Sequence, residues 1–331
     1  MQNIRKYLSQ ILITLSLIAL FFFHERSDFS DKNMGPEVDV TIAAGSSGKE
    51  IANILQEQKI IKSAKAFVDL YISSDRPKAI AAGVHRVNTL ISMKTAVTQL
   101  LDQKRIINSV VVKEGSTVDD VLKELRANSH LVQDRRSLSL HKLPIANSRN
   151  SLEGQFQPAI YSFAPGTNSF DAIDEMLGNF RKKISALPLT SFGKYSQYEV
   201  LTIASLIQVE GDQNDFAKVA SVIYNRLKIG MPLQLNSSVQ YAAGLRGRIA
   251  LSNKATEISS PYNTYKKLGL PPTPICNPSD LAIKAALNPE KNDSLYFITV
   301  KPKDTRFTKS FEEFSKWNEE YNNNLAKGLF R

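Results

Sequence analysis

One strongly apolar run stands out in this chain, and it lies close to the N-terminus. Residues 8–23 (LSQILITLSLIALFFF) contain no charged residue, and Arg5 and Lys6 precede them. A membrane-spanning helix needs about 20 predominantly apolar residues, a length that this run reaches with its flanking residues. Basic residues before such a helix predict a cytoplasmic N-terminus and an exported body. Residues 1–35 are therefore expected to form a cytoplasmic tip, a single transmembrane anchor and a linker.

A cleaved signal peptide is the alternative interpretation of the same run. Cleavage requires small residues directly after the apolar segment, and the sequence there is FFFHE (21–25). The absence of a small-residue cleavage site favours the retained anchor.

Residues 36–130 contain two copies of one pattern. The stretches 38–61 (VDVTIAAGSSGKEIANILQEQKII) and 107–128 (INSVVVKEGSTVDDVLKELRAN) each have a β-rich run, a Gly with Ser or Thr, and a helical apolar repeat. The pattern predicts two small βα modules, which either bind a ligand or only separate the rest of the chain from the membrane. Residues 131–150 are polar and rich in Ser, Arg and Asn, and they predict a linker.

Residues 151–331 predict a helix-rich domain with a few short strands. The β-rich runs at 294–300 and 305–309 predict two strands, so the expected fold class of the chain is α+β. The C-terminal segment FEEFSKWNEEYNNNLAK predicts an amphipathic helix. Its aromatic residues recur at three-residue steps, and we expect them to pack in the core: Phe311, Phe314 and Trp317.

Composition and charge narrow the classes of function. The chain has 331 residues, 42% hydrophobic and 22% charged, which is an ordinary globular composition with room for two domains. Its only cysteine, Cys276, excludes an intramolecular disulfide and a cysteine-rich zinc site. The net charge of +10 comes from scattered Lys and Arg without a nucleic-acid-binding motif, so no nucleic-acid partner is expected. Anionic lipid, an anionic wall polymer or an ordinary solvated basic surface would account for it.

The segment 201–244 places a carboxylic acid in an apolar setting. An apolar helix ends at Glu210, and a helical wheel puts this acid on the apolar side and Gln208 on the other. A carboxyl group in apolar surroundings is costly to ionise, so its pKa rises and it becomes suited to act as a general acid near neutral pH. The alternative is a helix-terminal Glu that turns out to solvent.

Histidine positions exclude several other mechanisms. The histidines are His24, His85, His130 and His141. None lies in 151–331, which excludes Ser-His-Asp and Cys-His mechanisms and HExxH metal hydrolysis in that domain. Acid–base chemistry then depends on carboxylates, with Glu153 as a rival to Glu210, whereas Asp212 and Asp215 are typical of turn and cap residues. No metal-ligand pattern is visible, and no cofactor is expected.

Four blocks of sequence carry a family resemblance. They are LEGQFQPAIYSFAPGT (152–167), ASLIQVEG (204–211), KVASVIYNRLKIGMPLQ (218–234) and SPYNTYKKLGLPPTPICNPS (260–279). In order and approximate spacing, these blocks resemble the endolytic murein transglycosylases, the YceG-like family, and the likeness extends over about residues 36–320. The resemblance implies that Glu210 is the catalytic acid and that the modules of 36–130 are LysM-like and bind glycan. It also implies a YceG-like catalytic domain at 151–331.

The same resemblance implies the reaction. A membrane-anchored, extracytoplasmic enzyme would cleave nascent peptidoglycan strands internally and leave 1,6-anhydro-N-acetylmuramic acid ends. One Glu suffices, because the sugar's own 6-hydroxyl attacks the anomeric carbon and no enzyme nucleophile is needed. The family likeness further implies that the enzyme acts near cell-wall synthesis proteins.

The chain departs from the family pattern at a few positions. Many members have Glu where this chain has Gln208, so only the second acid of an E-x-E pattern is present, and this supports Glu210. Asn236 stands where Asp is common, which leaves a hydrogen-bonding role but not a charged one. Ala159 and Ile160 replace the usual Asp and Thr.

Polar side chains in these blocks are candidates for substrate binding, because amides and tyrosines both donate and accept hydrogen bonds. The candidates are Asn225, Arg226, Gln234, Asn236, Tyr262, Asn263, Tyr265 and Glu153. A helix cap or a salt bridge is the structural alternative for Asn225 and Arg226, and a buried turn is the alternative for 262–265.

Two other functions stay open at this point. The first is a peptidoglycan hydrolase in which Glu153 or Asp215 supplies a second carboxylate. The second is a non-enzymatic scaffold that uses the two N-terminal modules to hold wall glycan.

Overall fold

The computed structural model describes most of the chain after residue 27. It describes residues 28–330 except 44, 73–79, 108, 164–165, 188 and 246–254. The predicted anchor at 8–23 lies outside the described residues. No helix in the described part combines the length and the apolar character that a bilayer crossing requires.

The described residues form a mixed α and β structure, as the sequence predicts. The α-helices are α1 (Gly48–Glu57), α2 (Ala64–Ile72), α3 (Met93–Leu101), α4 (Val118–Ala127), α5 (Ser169–Ala186), α6 (Gln197–Glu210), α7 (Phe216–Lys228), α8 (Asn236–Ala243), α9 (Asp280–Leu287) and α10 (Phe311–Ala326). The strands are β1 (Glu37–Ile42), β2 (Gly83–Asn88), β3 (Ile106–Ile107), β4 (Ser109–Val112), β5 (Ala159–Ser162), β6 (Tyr296–Lys301) and β7 (Asp304–Thr308).

The chain divides into two compact units. Unit 1 comprises Met1–Val110, Asn128–Val132 and Tyr161–Thr167. Unit 2 comprises Val111–Ala127, Gln133–Ile160 and Asn168–Arg331.

Unit 1 is built on an antiparallel sheet in the order β1-β2-β3. The β1–β2 register runs from Glu37 opposite Asn88 to Ile42 opposite Gly83. Helix α1 begins in a capping box, in which Ser47 and Glu50 each accept a hydrogen bond from the other's main-chain N–H. The apolar faces of β1, α1, α2, β2 and α3 close over one core. The first predicted module is therefore a strand–helix–helix–strand unit.

The second copy of the predicted module does not form as one unit. Its helix and its strand were located correctly, as α4 and β4, but the boundary between the two units falls inside β4: its first two residues belong to unit 1, and its last two residues belong to unit 2 with α4. The sequence pattern describes each element alone, while unit membership depends on which distant residues cover the apolar face of α4. The polar stretch that follows also contributes to a core, since Ile145 is buried in unit 2.

Helix α6 runs through the core of unit 2. Every residue from Val200 to Ile207 is buried, so protein surrounds this part of the helix on all sides. The helical wheel assumed a single inward face, and that assumption was wrong. Helices α7, α8 and α9 contact α6, and only its last turn emerges from the core.

The C-terminal region contains both predicted strands, paired as the antiparallel β6–β7 hairpin, and the predicted helix α10. The prediction that the aromatic residues of this helix lie in the core was wrong. No residue of α10 is fully buried, and Phe311 is 64% exposed. Three-residue aromatic spacing indicates a common face but does not show what covers that face.

Candidate active site

A cavity of about 1100 Å³ lies in unit 2 where α6 ends. The loop before α8, the hairpin β6–β7 and helix α10 provide other parts of its lining. Five of the candidate site residues line it: Glu210, Arg226, Gln234, Asn236 and Tyr265.

Glu210, the last residue of α6, lies in space beside the N-terminus of helix α8. The main-chain N–H of Ser237 donates a hydrogen bond to Oε1 of Glu210 at 3.1 Å. The residue at the N-cap position of α8 is Leu235, which has no side-chain acceptor, so Glu210 satisfies one of the free N–H groups of this helix from outside. The last turn of α6 therefore neither packs fully inward nor releases Glu210 into solvent, but presents the carboxyl group to the cavity.

The surroundings of Glu210 act on its pKa in opposite directions. Burial raises the pKa of Glu210, and this is the largest effect. The amide and hydroxyl of Ser237 and the charge of Arg226 lower it, with a net increase remaining. The Ser237 hydroxyl makes no hydrogen bond of good geometry, yet it favours the anion of Glu210. Glu210 thus tends to hold its proton, while the anion left after proton release has partners.

Arg226 fixes the walls of the cavity through main-chain carbonyl groups. Its Nε donates to the carbonyl of Leu295 at 2.6 Å, and Nη1 donates to Leu233 at 2.6 Å and Pro232 at 3.3 Å. These bonds tie the loop before α8 to the start of β6. The alternative of a salt bridge is not what holds Arg226, since its buried guanidinium donates these hydrogen bonds to main-chain carbonyls.

Asn236 and Tyr265 are linked directly. The hydroxyl of Tyr265 donates to Oδ1 of Asn236 at 2.6 Å. Burial, with the charge of Glu210 adding to it, raises the pKa of Tyr265, so its hydroxyl stays a donor. Asn236 therefore keeps the hydrogen-bonding role that remained after the common Asp was replaced.

Gln234 holds a strained backbone conformation beside these residues. Its φ is +49°, in the left-handed region that non-glycine residues rarely adopt, and its N–H donates to the carbonyl of Thr264 at 3.0 Å. The side chain is exposed at the cavity. Strained backbone of this kind is concentrated at functional sites.

Three other candidates serve the structure around the cavity and do not line it. Asn225 Nδ2 donates to the carbonyls of Asn292 and Ser294 at 3.0 Å, and Asn263 Nδ2 donates to those of Thr256 and Ile258. The hydroxyls of Tyr262 and Thr273 share a hydrogen bond at 2.8 Å. Substrate contact by Asn225, Tyr262 and Asn263 stays a prediction.

Glu153 also lies outside the cavity lining. It is 5% exposed and accepts hydrogen bonds from the N–H of Val118 at 3.1 Å and the hydroxyl of Tyr241 at 2.9 Å. These contacts place the carboxylate at the first residue of α4, where the helix dipole favours an anion. Its position fits support of the fold.

Gln208, like Glu153, accepts a hydrogen bond from a main-chain N–H at the start of another helix. Its Oε1 accepts a hydrogen bond from the N–H of Ser279, the N-cap residue of α9, at 2.8 Å. An amide oxygen is sufficient for this contact, which explains why the position does not require an acid.

Sequence reasoning missed several residues that the fold brings to the cavity. Asp212 lines it, although it was expected only as a turn or cap residue, and Ser237 contacts Glu210 from helix α8. Aromatic side chains of β6 and α10 also line it: Tyr296, Phe311, Phe314 and Tyr321. The signal for the last three was their common helical face. In the described part of the chain, His, Cys, Asp and Glu side chains do not gather in threes that could hold a metal ion.

A carboxylic acid of raised pKa on the wall of a large cavity is an arrangement typical of the class of acid–base enzymes. The chain belongs to the YceG-like family, which it matches over residues 40–320. It is 32% identical over 313 residues to the "Endolytic murein transglycosylase" of Bacillus subtilis (strain 168), covering 88% of this chain and 86% of the relative.

Two further relatives support the membership. The protein of the same name from Streptococcus pneumoniae serotype 2 (strain D39) is 33% identical over 304 residues, covering 81% of this chain and 55% of the relative. A crystal structure of a YceG-like protein from Listeria monocytogenes matches with a TM-score of 0.52 and 29% identity, covering 85% of this chain and 98% of that one.

Proposed function

We propose that this chain is a membrane-anchored, endolytic peptidoglycan lytic transglycosylase with Glu210 as its catalytic acid and base. The observation that carries the proposal is the position of Glu210, which borders the cavity with a raised pKa and a main-chain donor on its Oε1. Family membership and relatives named endolytic murein transglycosylases support the substrate class.

The chemistry requires one carboxyl group to work twice. Protonated Glu210 gives its proton to the glycosidic oxygen as the bond from the N-acetylmuramic acid anomeric carbon to that oxygen breaks. The sugar's own 6-hydroxyl then bonds to the anomeric carbon and loses its proton to the Glu210 anion. Burial favours the acid needed first, while Ser237 and Arg226 favour the anion needed second. The product end is a 1,6-anhydro ring.

Two parts of the proposal lie away from the catalytic site. Residues 8–23 would anchor the chain with an extracytoplasmic body near cell-wall synthesis proteins. The strand–helix–helix–strand unit built on β1 and β2 would bind glycan as a LysM-like module.

A hydrolase is the second candidate, and the cavity lining alters which residue it would use. Asp212 lines the cavity with Glu210, whereas Glu153 is bonded elsewhere and Asp215 lies 3.9 Å from Lys218. Asp212 occupies an N-cap position, but its carboxylate makes no capping hydrogen bond there.

The deciding experiment is mass spectrometry of purified, uncross-linked glycan strands after incubation with the wild-type chain, Glu210→Gln and Asp212→Asn. The proposal requires internal fragments with anhydro ends from the wild type and from Asp212→Asn, and none from folded Glu210→Gln. Anhydro ends are lighter than hydrolysed ends by one water. Ordinary reducing ends that disappear in both variants would establish the hydrolase instead.

A further inference from the structure

We propose that Tyr296, Phe311 and Phe314 form an aromatic face that binds sugar rings of the glycan strand away from the bond that is cleaved. This inference rests on the proposed function, because it takes the glycan strand as the substrate held at Glu210. It concerns side chains that lie outside the four sequence blocks quoted for the family resemblance.

The three rings form one continuous surface. The ring centroids of Tyr296 and Phe314 are 5.2 Å apart, those of Tyr296 and Phe311 are 5.7 Å apart, and those of Phe311 and Phe314 are 6.3 Å apart. All three rings line the same cavity as Glu210. The guanidinium carbon of Arg226 lies 5.3 Å from the ring centre of Tyr296, so the aromatic face continues from the wall of the acid's own site.

The geometry of α10 extends this surface in one direction. Phe311, Phe314, Asn318 and Tyr321 all line the cavity and follow one another at steps of three, four and three residues, which is one helical face. At 1.5 Å per residue, this face is about 15 Å long. A surface of that length suits an extended polymer better than a single small molecule.

The helix that carries the rings is held by other contacts. Arg306 makes paired hydrogen bonds with Glu320, at 2.8 and 3.1 Å, and Asn324 Nδ2 donates to the carbonyl of Val300 at 2.8 Å. Since α10 contains no fully buried residue and Phe311 is 64% exposed, the outer ring is not needed to fill a core. An exposed aromatic ring that fills no core, as at Phe311, indicates a binding surface, and the half-buried rings of Tyr296 and Phe314 hold it in place.

Glycan is the occupant that the chemistry of the face favours. The C–H groups on the flat side of a β-linked sugar ring carry slight positive charge and are attracted to the negative face of an aromatic ring. Polar side chains that can meet hydroxyl and N-acetyl groups line the same cavity, at Thr299, Lys303 and Asn318. Lipid tails or a hydrophobic protein partner would offer no hydrogen bonds to Lys303 and Asn318 and would cover these polar groups at a cost.

The test measures strand binding without turnover. The full-length chain carrying Glu210→Gln is titrated with a long uncross-linked glycan strand and with a short one that occupies only the Glu210 region. Adding Phe311→Ala or Phe314→Ala should weaken binding of the long strand about tenfold, the size of one lost stacking contact, and leave the short strand unchanged. Leu268→Ala is the matched control, since Leu268 is 67% exposed and lies outside the cavity lining.

A second substitution separates stacking from simple apolar contact. Phe314→Tyr keeps the π face and should bind the long strand like phenylalanine, whereas Phe314→Leu should bind it as weakly as alanine. Unchanged affinity in the alanine variants, or equal losses for long and short strands, would overturn the inference. A change only in self-association or in vesicle binding would overturn it as well and assign the face to a second copy or to lipid.

The proposed function fails independently of this result. Strand binding that depends on the aromatic face, without anhydro ends from the wild-type chain, would leave the face and reject the reaction. Anhydro ends from the wild-type chain, with strand binding that is unchanged in the Phe311 and Phe314 variants, would support the reaction and reject the aromatic face.

Discussion

The main-chain N–H of Ser237 and the side chain of Glu210 meet across two helices, at 3.1 Å. The carboxyl group thereby takes the place of a side-chain cap at α8, whose N-cap position is occupied by Leu235. A helix N-terminus favours negative charge, so this contact opposes the effect of burial on Glu210. The pKa of Glu210 therefore depends on a balance that neighbouring residues can change.

Ser237→Ala should move the pH dependence of cleavage. The Ser237 hydroxyl lowers the pKa of Glu210, so its removal leaves burial less opposed and raises that pKa further. A general acid must be protonated, and kcat/KM falls as pH rises through its pKa. We expect the falling limb of the kcat/KM profile to shift to higher pH, measured by release of anhydro-ended fragments.

Ser237→Thr is the matched control, because it restores a hydroxyl at the same position. It should return the limb toward the wild-type position. A shift to lower pH in Ser237→Ala, or the same shift in both variants, would contradict a direct effect of the hydroxyl.

Glu210→Gln should change the stability of the protein in a pH-dependent way. Burial places the folded-state pKa of Glu210 above its unfolded value, so the folded protein binds more protons between the two pKa values. This contribution to the free energy of unfolding is complete below the unfolded pKa, about 4.3, and is lost as pH rises through the folded pKa. Glutamine does not titrate, so the variant should gain stability relative to wild type as the pH rises.

Chemical denaturation of both proteins at acidic and at mildly alkaline pH measures this difference. Glu312→Gln removes one exposed acid, with 79% of that side chain accessible, and corrects for the general effect of a lost charge. A stability difference that is constant with pH, or that favours wild type more at high pH, would show that burial does not dominate at Glu210.

The sequence predicted the parts of the site that lie in continuous motifs. Glu210, Arg226, Gln234, Asn236 and Tyr265 were all identified, since chemistry-bearing residues in these blocks stand out by type. Glu210 does line the cavity, but the helical-wheel argument used to select it was wrong. A wheel needs one buried face, and α6 is buried on all sides up to Ile207, so the wheel could not orient its last turn.

The rest of the cavity could not be found because its lining is assembled from distant segments. Phe311 and Phe314 repeat at helical spacing, and the same spacing serves a core face and an open binding face equally well. Only the packing of α10 on the β6–β7 hairpin decides between them. Asn225 and Asn263 show the opposite case, in which polar motif residues hold loop carbonyls and do not reach the cavity.

Glu153→Gln should cost stability but not chemistry. The carboxylate accepts hydrogen bonds from the Val118 N–H and the Tyr241 hydroxyl in a buried place. Glutamine can keep its oxygen on the Val118 N–H and donate its amide to the Tyr241 hydroxyl, which accepts as well as donates. Both hydrogen bonds then lose the carboxylate charge, at a cost of about 1–3 kcal/mol in the free energy of unfolding. We expect kcat/KM to stay within about tenfold of wild type, because no proton transfer uses this residue.

Tyr241→Phe removes one of the same hydrogen bonds without touching a carboxylate, and its loss of stability should be comparable or smaller. Denaturant unfolding measures the stability of each variant, and strand cleavage by the same preparations measures its kcat/KM. A folded Glu153→Gln protein that is as inactive as Glu210→Gln would instead identify Glu153 as a second catalytic carboxylate.

Gln234→Gly should stabilise the protein and weaken its hold on the strand. Glycine adopts the left-handed φ of +49° freely, so the backbone strain of about 1 kcal/mol disappears. The lost amide lines the cavity, and one hydrogen bond to sugar is worth about 0.5–1.5 kcal/mol, which raises KM about two- to tenfold. The value of kcat should change little, since the contact exists before and during the reaction.

Two variants give this last prediction its controls. Gln234→Asn keeps an amide and tolerates left-handed backbone, so it should retain most of the wild-type KM. Asn150→Gly relaxes another left-handed position of unit 2, at φ +49°, that does not line the cavity, and it should leave KM unchanged. If Gln234→Gly gains stability with an unaltered KM, the side chain does not touch substrate, and the strained turn serves only to direct the chain from Leu233 into α8.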